Sequence, residues 1–88
     1  MKIHLKYDLD SDETELETQS STLGDLLLEL SKKYPNSRFF NKDRWEVNFE
    51  FFVELNGQMY DMLPRELDTK LKDGDKVEIY AGNEFPED

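Results

Sequence analysis

Residues 21–35, STLGDLLLELSKKYP, carry the spacing of an amphipathic helix. Leu23, Leu26, Leu27, Leu30 and Tyr34 fall at i, i+3, i+4, i+7 and i+11, which lines them up as one apolar stripe. Thr22 stands where a capping hydroxyl is needed, and Asp25 follows three residues later, in the capping-box position, where a carboxylate also suits the positive end of the helix. Lys32 and Lys33 occupy the last turn, as the macrodipole prefers. Pro35 disfavours helical geometry at Tyr34, so the helix is expected to stop there.

A single such helix needs a surface to bury its stripe against, and the flanking sequence reads as strands. In MKIHLKYDLD, Ile3, Leu5, Tyr7 and Leu9 alternate with Lys2, His4, Lys6 and Asp8, the pattern of a half-buried strand. Thr14, Leu16 and Thr18 suggest a second, weaker edge strand, joined to the first as a hairpin. After the helix, residues 35–48 carry Phe39, Phe40 and Trp45 without a period, and are expected to form an ordered loop whose aromatics cover one end of the core. FEFFVELNG then alternates, with Phe49, Phe51, Val53 and Leu55 expected inward and Glu50, Phe52 and Glu54 outward. Asn56-Gly57 is a strong hairpin signal, and QMYDML a short returning strand. The connection PRELDTKLKDGD places Leu67 and Leu71 in the core and closes in an Asp73-Gly74 turn. KVEIY is the last strand, with Val77 and Ile79 inward and Glu78 and Tyr80 outward.

The 88 residues suit one compact domain with little core to spare. There is no cysteine, which excludes a disulfide scaffold, a thiolate zinc site and a thiol nucleophile, and one histidine cannot make a His-rich metal site. No long apolar run or export signal is apparent, so a cytoplasmic location is expected, with no membrane partner. A net charge of −10, from 21 acidic against 11 basic residues, opposes nucleic acid and anionic lipid and favours encounter with a basic protein surface. Asp8, Asp10 and Asp12 have the spacing of a calcium loop, but Glu13 stands where that loop needs glycine and Gln19 where it needs glutamate. No catalytic residue, metal ligand or cofactor is assigned; no triad surrounds His4, and no Gly-rich phosphate loop is present.

The order of elements resembles the ubiquitin-like β-grasp, an α+β fold in which a mixed four- to five-stranded sheet packs on one main helix. The residues extend the likeness. STLGDLLLELSKKYP, VELNG and LDTKLKDGDKVEIY resemble, in order, the helix, hairpin and final-strand motifs of the MoaD/ThiS sulfur-carrier family, over about half the chain. The resemblance implies a domain over residues 1–80 and an acidic tail over 81–88. It implies a small carrier without chemistry of its own, whose partner is a ubiquitin-activating-type adenylating enzyme or the molybdopterin synthase large subunit, in a molybdopterin, thiamin or related thiolation pathway. It also implies a reactive C-terminal Gly-Gly, and here this chain departs: Ala81 and Gly82 are followed by Asn83, Glu84, Phe85, Pro86, Glu87 and Asp88. Bulk at Phe85 and Pro86, and charge at Glu87 and Asp88, make that terminus unfit for adenylation beside a triphosphate. The leading expectation is therefore a protein-binding module. The alternatives are a true sulfur carrier processed at Gly82, and an acidic interaction module outside sulfur metabolism. In the β-grasp the first, third and last strands lie side by side, so His4, Phe52, Glu54 and Tyr80 would share the outer face as a partner-binding patch.

Overall fold

The computed structural model describes residues 1–7 and 12–82. The elements are β1 (Lys2–Tyr7), β2 (Thr14–Glu17), α1 (Leu23–Lys33), β3 (Phe40–Asn41), β4 (Glu46–Val47), β5 (Phe51–Leu55), β6 (Gln58–Met59) and β7 (Lys76–Ala81), with single 3-10 turns at Tyr60–Met62 and Glu66–Asp68. Five strands form one sheet in the order β2-β1-β7-β5-β6. The central pair β1·β7 is parallel and the others are antiparallel, so the sheet is mixed.

Helix α1 forms as its spacing requires. The Thr22 side chain accepts a hydrogen bond from the Asp25 backbone N–H at 3.2 Å, and the Tyr34 N–H closes the last turn on the Leu30 carbonyl at 2.9 Å. Leu23, Leu26, Leu27 and Leu30 are fully buried against Ile3, Val53, Val77 and Ile79 of the three central strands. Each such side chain contributes about 1.5–3 kcal/mol on leaving water, which is why an 88-residue chain can hold this fold. Asn56 and Gly57 take the positive φ values, 53° and 85°, that a two-residue hairpin needs. Gly24 is required for a different reason. A Cβ there would lie 2.9 Å from Cζ2 of Trp45 and 3.1 Å from the Leu67 carbonyl oxygen, so the bare backbone seats the indole.

Three expectations need correction. Residues 35–48 are not simply a loop: β3 and β4 pair as a two-stranded hairpin. Its Phe39 is fully buried, edge-on to Tyr7 and Phe51 at 5.8 and 6.4 Å, so this segment does cap the core. Phe49 does not point inward; it is 91% exposed in the turn before β5, and the alternation begins only at Phe51. The domain also extends past residue 80. β7 runs to Ala81, and the Gly82 N–H donates to the Glu50 carbonyl at 2.6 Å. Residues 83–88, with most of the expected acidic tail, lie outside the described residues, as do Asp8 and Asp10 of the calcium-like spacing. Among the described residues no helix is long and apolar enough to cross a membrane, and no group of acids and histidine is placed to hold a metal.

Candidate functional site

Phe52, Glu54 and Tyr80 come together on the outer face because β5 and β7 pair antiparallel, with Phe52 opposite Tyr80 and Glu54 opposite Glu78. The Phe52 and Tyr80 rings stack with centroids 5.7 Å apart and planes 22° apart. The Tyr80 hydroxyl donates to Oε2 of Glu54. Burial, and then the Glu54 carboxylate, push the Tyr80 phenol up to about 12. Glu54 and Glu78 would repel across the strand pair. The hydroxyl on Glu54 and the Lys76 ammonium, 3.4 Å from Glu78, offset that repulsion.

The expected two-ring exposed patch is not present in that form. Tyr80 faces outward but is only 6% exposed, and Phe52 is half-buried. Tyr80 thus acts as a support stacked on Phe52, and Phe52 and Glu54 are the parts of the unit that remain partly accessible.

His4 is on the same face but at the other end. In the parallel β1·β7 register His4 lies beside Lys76, four residues before Tyr80 and so roughly 13 Å along the strand. Its Nδ1 is 3.5 Å from Glu13 Oε2, and the other Glu13 oxygen is 3.5 Å from the Lys76 ammonium. Glu78 first, then Glu13, hold Lys76 above the usual lysine range. His4 therefore belongs to a charge lattice with Glu13, Lys76 and Glu78, apart from the aromatic unit. The sequence placed it on the right face, but the height followed only from a register no local pattern encodes.

Gly82 lies beside the aromatic unit. A Cβ on it would sit 3.1 Å from the Phe52 ring, and its N–H is spent on the Glu50 carbonyl. A chain cut after Gly82 would present its carboxylate at the sheet margin against Phe52, held to the strand. Sequence reading missed a second feature, a concavity of about 350 Å³ between β4 and the 60–68 segment, lined by Trp45, Tyr60 and Leu67. Trp45 in an aperiodic stretch was its only signal.

One helix packed on a mixed sheet of order β2-β1-β7-β5-β6, with an aromatic unit on the outer face, defines a ubiquitin-like β-grasp protein. The ThiS family profile matches residues 5–80, and the chain belongs to that family. The small archaeal modifier protein 1 of Methanosarcina acetivorans superposes with a TM-score of 0.73 at 22% identity, over 97% of this chain and 96% of that one. Urm1 of Trypanosoma brucei gives 0.67 at 17% identity over 91% and 90%. A protein of Pyrococcus furiosus assigned as molybdopterin converting factor, subunit 1, gives 0.58 at 24% identity over 91% and 95%. At these identities the likeness is one of fold. Among curated proteins no sequence matches at a significant level.

Proposed function

We propose that this chain is a non-catalytic, cytoplasmic, protein-binding member of the ThiS family that docks through the outer face of its sheet. Its partner is a ubiquitin-activating-type adenylating enzyme or a molybdopterin synthase large subunit, in a sulfur-carrier or modifier pathway. The observation that supports this most is the Phe52–Tyr80–Glu54 unit. A half-buried ring held in one plane by a stack, with a charged rim, loses little conformational freedom on docking, which is what an interface anchor needs. Gly82, hydrogen-bonded into the sheet beside that ring, speaks for a docking face over a free reactive end.

The test uses the full chain and each purified partner candidate from the same cells in a calorimetric titration. Phe52→Ala and Glu54→Lys are expected to weaken binding by about tenfold or more, with the chain still folded by circular dichroism. Wild-type affinity in both variants would refute the docking face. The intact mass of the protein from its own cells adds a second readout. A chain ending at Gly82 with one carboxylate oxygen replaced by sulfur would make it a carrier instead.

A further inference from the structure

The concavity beside Trp45 has features that packing alone does not account for. Trp45, Tyr60 and Leu67 supply its apolar lining. Trp45 remains 39% exposed although its indole is seated on Gly24 and lies edge-on to Phe40 at 5.2 Å. The indole is therefore fixed on one side and open on the other. Two non-glycine residues lining the site, Trp45 and Glu66, adopt left-handed backbone conformations, with φ of 53° and 47°. For a bulky residue such as tryptophan this costs on the order of 1 kcal/mol or more.

The rim is acidic. Glu46, Glu66 and Asp68 face one cation, Arg65. Glu46 is engaged by Arg44 at 3.3 Å, whereas Glu66 and Asp68 form no ion pair among the described residues. The Tyr60 phenol registers the field: burial, then Asp61, Glu66 and Glu46, raise it above its ordinary value. An exposed indole and carboxylates without an ion pair among the described residues are complementary to a cation, and tryptophan offers the strongest ring quadrupole. A guanidinium fits better than an ammonium, since its plane can stack on the indole while its edge meets a carboxylate. The volume is at the small end of ligand sites, suited to a side chain more than to a cofactor.

We propose that the Trp45–Tyr60 concavity receives an arginine side chain from a basic segment of a partner protein, making a second point of attachment besides the sheet face. This rests on the protein-binding reading above but on separate residues, so the two fail separately.

Trp45 is the one tryptophan in the sequence, so its emission reports the site directly. The full chain is titrated with an acetylated tetra-arginine peptide at low salt. A saturable change in Trp45 emission is expected, weakened about five- to tenfold in the double variant Glu66→Gln, Asp68→Asn. The charge-matched double variant Glu15→Gln, Glu17→Gln, on the far edge of the sheet, is expected to bind like wild type. Amide shifts in the wild-type chain provide a check independent of variant folding, and are expected at residues 45–46, 60 and 65–68. No saturable response, equal weakening by both charge-matched variants, or shifts centred on 13–17 would overturn the proposal.

Discussion

The two faces of the sheet use different physics. The inner face is aliphatic: Ile3, Val53, Val77 and Ile79 are essentially fully buried under α1. Any chain that preserves volume and period there can fold this way, which is consistent with relatives at 17–24% identity sharing the fold. The outer face carries a charge lattice of Glu13, Lys76 and Glu78, with His4 beside Glu13, next to one ring pair. Such a lattice adds little stability, because exposed ion pairs contribute about 0–1 kcal/mol. Its contribution to holding the fold is therefore small beside that of the inner face.

Breaking the inner face is expected to have the largest effect. Leu27→Ala leaves a cavity under the sheet and is expected to cost about 2–5 kcal/mol in denaturant unfolding. A loss below about 1 kcal/mol would mean the two faces do not divide the labour in this way. The second test is pH. Because the Tyr80 phenol is raised from about 10 to about 12 on folding, the folded chain holds its proton longer than the unfolded chain. Stability is therefore fully present below pH ~10 and falls as pH rises toward 12, by on the order of 2 kcal/mol. Tyr60, also raised, adds to the same slope. In Tyr80→Phe the unfolding free energy is expected to be flatter across that window, and an unchanged slope would remove Tyr80 as its cause. Third, Phe52→Ala gives up the stack with Tyr80 but little aliphatic packing, and is expected to cost about 1 kcal/mol. A loss comparable to Leu27→Ala would make Phe52 core and end its role as a docking ring. The smallest effect is expected from Glu15→Gln, which removes an exposed pair with Lys2 at 3.7 Å and should shift stability by less than about 0.5 kcal/mol.

The sequence exposed what repeats locally. The α1 stripe from Leu23 to Leu30, the Thr22 cap, the alternation in β1 up to Tyr7 and in β7 up to Ile79, and the Asn56-Gly57 turn all depend on neighbours within a few residues, and each is found as expected. Tyr34, expected to continue the stripe, is instead 41% exposed at the helix end, and Leu9 lies outside the described residues. What it hid depends on distant pairings. The phase of FEFFVEL allowed Phe49 to be read into the strand, because nothing local shows that Asn48 and Phe51 close a turn between their backbone groups. Tyr80 was rightly placed outward, but its burial follows from Phe52 standing opposite it, which only the β5·β7 register decides. The β3–β4 hairpin has two residues per strand, too few for a period, so the aromatic concavity could not be seen in advance.

Strand β2 lies at one border of the sheet, with no further strand paired to it among the described residues. Its sequence is TELE, with Glu15 and Glu17 on it and Glu13 just before it. Two molecules meeting there in antiparallel fashion would set these glutamates against one another at strand spacing, in a chain that already carries ten excess negative charges. The opposite border, β6, is two residues long and offers almost no ladder to extend. Repulsion on one side and brevity on the other thus both oppose extension of the sheet by a second copy of the chain.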